Sequence, residues 1–167
     1  MTLTTHALVG AAAAALVPQN PLAGFCLGFV SHFAIDAIPH WHEGGMLRSA
    51  RENPHDPLDT DMVLGKEFLG DLVFVGGDAV FGLALAVAIF GFWLFHLPLI
   101  AIVAGVVGGQ LPDALQFVYY KLRPAFMTPL QRFHVHIQHE FDNPLMLLVE
   151  AALVVAVIAA LKFLIYS

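Results

Sequence analysis

The chain is poor in what marks most soluble proteins. Cysteine occurs once, at Cys26, in 167 residues. One thiol forms no internal disulfide, so a cystine-stapled secreted scaffold is excluded. Charged residues make up 12%, about half of the roughly 25% usual in a soluble domain. That shortage argues against a soluble enzyme and against a disordered tail. Positive charge is scarcest, with seven Lys and Arg against thirteen Asp and Glu and a formal net charge of −6. So few basic residues make no phosphate-tracking stripe, and nucleic acid is excluded as a partner. No Lys or Arg precedes the first apolar run, so the N-terminal stretch reads as a membrane segment and not as a signal peptide. There is no His-Glu-x-x-His, no Gly-x-Ser-x-Gly and no phosphate-binding glycine loop.

What is present is apolar. Hydrophobic residues account for 59% of the chain, and the mean hydropathy is +0.78. Charge is clustered between the apolar runs. Residues 1–38 contain only Asp36, residues 79–120 only Asp113, and residues 40–78 contain 11 charged residues. Long apolar stretches separated by polar connections are the pattern of transmembrane helices. The expectation is an all-α integral membrane bundle of about five transmembrane helices, forming one domain over 1–167 with a polar loop at 40–61.

The expected spans are Leu3–Val17, Leu22–Ile38, Met62–His96, Leu99–Leu122 and a last one starting near Pro129 and finishing near Ile165. The first two make a hairpin turned by Pro18-Gln19-Asn20-Pro21. The small residues from Ala11 to Ala15 place the first span inside the bundle. Gly24, Gly28, Gly105 and Gly109 read as close-packing positions. The third stretch is 35 residues long, too long for one plain span, and Gly76-Gly77 is the expected break. The last is expected to break at Asn143-Pro144. With five spans, Arg48, Arg51, Lys66, Lys121, Arg123 and Arg132 fall on the N-terminal side, and only Lys162 on the other. That bias predicts a cytoplasmic N-terminus.

The same side collects the ionisable residues. His6 starts the first span, and His32, Asp36 and His40 close the second. Asp71 and Asp78 lie early in the third, Asp113 late in the fourth, and His134, His136, His139 and Glu140 begin the fifth. Charge within a membrane is costly and faces an interior or a wet cavity. One polar cavity is therefore expected on the N-terminal side. His32 and Asp36 share a helix face at a spacing of four, as do Asp71 and Asp78 at seven. His136, His139 and Glu140 share one if the helix continues, and Glu150 then joins them. Imidazole with carboxylate suits a divalent metal, zinc first, with manganese or iron also fitting. More ligands are available than one ion needs. Each residue also has a plainer reading. His6 suits an interface, His32 with Asp36 a buried hydrogen-bonded pair, and Asp71 or Asp78 a helix cap. The histidines at 134, 136 and 139 suit a headgroup-facing strip, and Glu150 an interhelix hydrogen bond.

Three short elements carry a family resemblance: Thr5-His6 with Gly10, Ser31-His32-Phe33-Ala34-Ile35-Asp36-Ala37-Ile38-Pro39-His40, and Leu111-Pro112-Asp113. With them the chain resembles the small membrane-bound metal-dependent hydrolases of bacteria and archaea, and more distantly zinc-dependent phospholipase C. The resemblance covers the first 42 residues best, then residues 108–140. It implies a helical protein of a prokaryotic inner membrane, with a divalent metal site and hydrolase activity on phosphoesters. On the same basis His6, His32, Asp36, His40 and Asp113 are carried over as metal ligands. The His-Arg-Gly segment followed by Thr-His-Ser, found in many members, is missing. Phe133-His134-Val135-His136 is the segment that stands in a similar place.

The expected function is hydrolysis of a phosphoester or lipid-linked substrate at a cytoplasm-facing metal site within the lipid bilayer. Asp113 or Asp36 would orient the attacking water or take its proton. The alternatives are a metal-ion or small-solute transporter, a haem-binding subunit using paired histidines, and a non-catalytic structural bundle.

Overall fold

The computed structural model describes residues 1–41, 47–51, 53 and 55–167. The chain is mostly helical. Its helices are α1 (Leu3–Ala14), α2 (Pro21–Asp36), α3 (Lys66–Ala86), α4 (Leu99–Leu122), α5 (Thr128–Ile137) and α6 (Met146–Tyr166).

Alanine and glycine dictate the position of α1. Ala7, Ala11, Ala12 and Ala14 are buried, as are Leu8 and Val9. A helix apolar on every side belongs in an interior. It contacts α2, α3, α4 and α6. Its small residues let backbones meet: a Cβ on Gly10 would strike the Gly105 carbonyl, and one on Gly109 would strike the His6 carbonyl. Gly28 on α2 meets the same Gly105 carbonyl. The sequence reading of these glycines as packing residues holds, and α1, α2 and α4 form the tight centre of the molecule. Thr2 caps α1 by accepting from the Thr5 amide (3.2 Å). Asn20 caps α2 from the Ala23 amide (3.1 Å), with Pro21 in the first turn.

The expected count of five spans is not what the helix lengths give. Three helical stretches are long and apolar enough to cross a membrane: Lys66–Trp93, Leu99–Leu122 and Met146–Tyr166. At 1.5 Å per residue, α1 and α2 are only about 18 and 24 Å long, against a hydrocarbon core of about 30 Å. They pair as an apolar hairpin in which α1 is enclosed by α2, α3, α4 and α6, whereas α2 keeps Leu22, Leu27 and Val30 exposed. The expected break at Gly76-Gly77 is also absent. α3 runs through both glycines and continues as a π-helical turn over Val87–Trp93. Neither glycine has any neighbour within 4 Å of where a Cβ would lie. The outer faces of α3 and α6 expose Leu72, Val73, Val80, Phe81, Val155, Phe163 and Leu164. So much contiguous apolar surface suits lipid and not water.

The break near Asn143-Pro144 is present, between α5 and α6. α5 already ends at Ile137, which parts His136 from Glu140, and the Asn143-Pro144 break parts both from Glu150 on α6. The proposed continuous face of His136, His139, Glu140 and Glu150 therefore does not exist. Instead, β1 (His40–Trp41) pairs in parallel with β4 (Glu140–Phe141), with His40 opposite Glu140. The His40 amide donates to the His139 carbonyl (3.1 Å), and the His139 amide donates to the Asp36 carbonyl (3.2 Å). This stitch holds the end of α2 against the end of α5. A second ribbon, β2 (Ala50–Arg51) with antiparallel β3 (Asp61–Met62), lies over the end of α4. Lys121 fixes it by donating to Asp61 Oδ1 and to the Met62 carbonyl, both at 2.7 Å. That ion pair holds the exposed Asp61 carboxyl below its ordinary range.

Candidate metal centre

Four side chains converge at the end of the bundle where α2 and α5 are stitched. His32 and Asp36 come from one face of α2, Asp113 from α4 and His134 from α5. One ligating atom from each lies within 4.8 Å of all the others. His32 Nε2 is 2.9 Å from His134 Nε2, and these nitrogens are 3.1 and 3.0 Å from Asp36 Oδ2. Asp113 Oδ1 lies 3.6 Å from His32 Nε2 and 3.7 Å from His134 Nε2. Zinc bonds of about 2.0–2.1 Å give a tetrahedron with edges of about 3.3 Å. The observed separations bracket that edge.

The tautomer of His32 fits the same use. Its Nδ1 donates to the Gly109 carbonyl at 2.7 Å, since a carbonyl can only accept. With Nδ1 donating, the neutral form of the ring would present a lone pair on Nε2 to two carboxylate oxygens and a second imidazole. A lone pair facing other acceptors calls for a cation, a proton or a metal, between them. Burial sharpens this requirement. His32, Asp36 and His134 are fully buried, whereas the Asp113 side chain is 28% exposed. Phe33 walls the site, with its ring 5.2 Å from His32 and 5.4 Å from His134. Asp113 is thus the member of the group that reaches the protein surface.

His6 stands beside this group. Its ring stacks on His32 with centroids 3.9 Å apart, and its Nε2 lies 3.2 Å from Asp36 Oδ1 and 3.8 Å from Asp113 Oδ2.

The other expected ligands lie elsewhere. Asp71 accepts from the Arg48 amide (3.2 Å), the Ser49 amide (2.8 Å) and the Ser49 hydroxyl (2.5 Å), which ties the polar loop to α3. Asp78 accepts from the Thr4 amide (3.1 Å) and hydroxyl (2.5 Å), which ties α3 to the first turn of α1. Both are structural: Asp78 caps the first turn of α1 as a carboxylate at a helix start can, whereas Asp71 caps no helix and anchors the loop. His136 and His139 are exposed, and His139 serves the site through its backbone. His40 is buried. Its Nδ1 donates to the Ile38 carbonyl at 2.8 Å, and its Nε2 is 4.0 Å from Glu140 Oε1. Burial pushes the His40 imidazole below its ordinary value against the opposing pull of the Ile38 carbonyl and of Asp36 and Glu140. Glu150 is an interhelix partner: it accepts from Thr2, Thr5 and the Trp41 amide and fixes the start of α1 and β1 to α6. Gln131 is the residue sequence reasoning missed. It is buried one turn before His134, and neither its amide nitrogen nor its oxygen has a partner. The spacing of three from His134 was the available signal.

Comparison with protein-family models, with curated proteins and with solved structures finds no match for this chain.

Proposed function

We propose that the protein is a membrane-embedded metal-dependent hydrolase that cleaves a phosphoester, free or lipid-linked. The observation that carries this reading is the close approach of His32, Asp36, Asp113 and His134, three of them fully buried and one reaching the protein surface. Zinc suits these donors best, and manganese or iron fits the same set. When bound, a divalent cation supplies an acidified water and an electrophile for a phosphoryl oxygen. The two carboxylates then divide the work. Asp36, sealed from water, holds charge and position. Asp113, at the protein surface, orients the attacking water and takes its proton. Arg132, two residues before His134, is the nearest basic residue in sequence to the site for holding a phosphate.

Transport is the weaker reading. The ionisable residues gather at one end of the bundle, and the other end offers His96 and Lys162 alone, too little to complete a polar path. The α1–α2 hairpin returns the chain to its starting side whether or not it crosses, so the Lys and Arg bias still favours a cytoplasmic site.

The test is elemental analysis of detergent-purified protein, with hydrolysis assays on bis(p-nitrophenyl) phosphate and p-nitrophenyl phosphate. Bound metal and hydrolysis, both lost in His134→Ala, are expected. Absence of metal after reconstitution with zinc or manganese would sink the proposal. Bound metal without hydrolysis, but with metal uptake into proteoliposomes, would establish the transporter instead.

A further inference from the structure

We propose that the groove between α1 and the first half of α6 seats one hydrocarbon chain of a bilayer lipid. Leu8 of α1 and Ala151, Val154 and Val155 of α6 line it with carbon. The remaining α1 side of the groove is threonine, and each hydroxyl is committed elsewhere. Thr2 and Thr5 donate to Glu150 Oε2 at 2.9 and 3.0 Å, and Thr4 donates to Asp78 Oδ1 at 2.5 Å. With their oxygens spent on carboxylates, the threonines add mainly carbon, and the groove surface is almost wholly apolar.

Size and chemistry select the occupant. The groove has a volume of about 300 Å³. One turn of a helix about 10 Å across already fills over about 400 Å³, so a helix of a second copy does not fit within it. Ordered water needs two to four polar partners, and the spent hydroxyls do not supply them. An empty groove forfeits dispersion contacts along its whole lining. The mouth opens on the lipid-facing side of α6: Val155 lines the groove and is also 66% exposed. A chain from the surrounding bilayer therefore reaches the groove without crossing water.

The position of α6 gives the chain its role. Only 11% of the apolar span of α6 is buried. Polar bonds pin it near both ends, through Glu150 to the start of α1 and through the Tyr166 hydroxyl, which donates to the Leu94 carbonyl at 3.1 Å. A chain lying along the α1–α6 seam adds apolar contact to the first half of α6, beside the Glu150 bonds. No Lys or Arg lines the groove among the described residues. Binding is thus set by the hydrocarbon and not by the headgroup. No member of the metal group lines the groove either, so this inference stands apart from the hydrolase reading.

The experiment is native mass spectrometry of the full chain in mild detergent, with melting curves after delipidation. Wild type should carry one phospholipid per chain. Ala151→Phe fills the groove from an exposed position and should lose that lipid; Ala151→Leu replaces it if the larger ring prevents folding. Ala160→Phe adds the same bulk at an exposed position of α6 outside the groove and should keep the lipid. Long-chain phosphatidylcholine should raise the melting temperature of delipidated wild type and leave that of Ala151→Phe unchanged. A short-chain phosphatidylcholine, with the same headgroup, should raise neither. Wild type that is neither lipid-bound nor stabilised by the long-chain lipid would overturn the proposal. So would equal retention in Ala151→Phe and Ala160→Phe, or equal stabilisation by both chain lengths. A dimer mass abolished by Ala151→Phe would place a second copy there instead and overturn it as well.

Discussion

Asp36 Oδ2 lies 3.0 Å from His134 Nε2, although 98 positions separate the two residues. The contact depends on backbone more than on side chains. α2 ends at Asp36 and α5 ends at Ile137, and the short parallel pairing just beyond them fixes the two ends together. His139 contributes its amide to the Asp36 carbonyl and its carbonyl to the His40 amide, while its ring is exposed.

The stitch can be separated from the ring. His139→Ala keeps both backbone bonds and should leave metal affinity within a few-fold of wild type. His139→Pro deletes the donor to Asp36 and should weaken metal binding by about 10–100-fold, the usual effect of losing a partner that orients a ligand. Competition with a chelating dye measures both. Equal losses in the two variants would make the ring a ligand after all.

The glycines make opposite predictions according to what surrounds them. A Cβ at Gly105 would run into the Gly10 carbonyl and lie 2.7 Å from the Ala14 Cβ. Gly105→Ala should therefore destabilise the bundle by about 1–3 kcal/mol, the cost of overpacking a close-packed core. Gly76 and Gly77 have open space around them, and Gly76→Ala or Gly77→Ala should stabilise α3 by up to about 1 kcal/mol. Unfolding midpoints in detergent decide this. A loss at Gly77 equal to that at Gly105 would mean that α3 needs a flexible point there.

The sequence revealed what periodicity and charge can carry. The buried α1 followed from its alanines, the α5–α6 break from Asn143-Pro144, and the gathering of His6, His32, Asp36, Asp113 and His134 at one end from their positions along the spans. What it hid depends on distance and on length. Hydropathy marks apolar helices without fixing their lengths, so α1 and α2 read as spans although their 12 and 16 residues are fewer than a full crossing usually takes. Two-residue strands have no pattern, and the β1–β4 stitch is invisible until the chain folds. Asp71 and Asp78 resembled ligands because a carboxylate on an apolar helix looks the same in sequence whether it binds an ion or an amide. Only the positions of Ser49 and Thr4 separate the two.

Gln131 tests whether the orphaned amide is idle. Its nitrogen and oxygen are both buried without partners, which costs about 1–3 kcal/mol for such a group. Gln131→Met keeps the shape and removes the polar atoms, so thermal stability should rise. A fall in stability of the metal-loaded protein, absent in the chelated protein, would show the amide serving the site beside His134.

His40 supplies the pH dependence. Burial lowers its pKa from 6.5, so the folded protein favours the neutral ring more than the unfolded chain does. Stability from this residue is complete above pH 6.5 and declines as pH falls towards the lowered folded-state value. The variant His40→Asn lacks this titration but keeps every other histidine. The difference in melting temperature between wild type and His40→Asn should therefore shrink as pH is lowered from 8 to about 5. The common titration of His6, His32 and His134 cancels in that difference. A difference that stays constant would mean that Glu140, opposite His40 across the β1–β4 pairing, accommodates the proton at no cost to the fold.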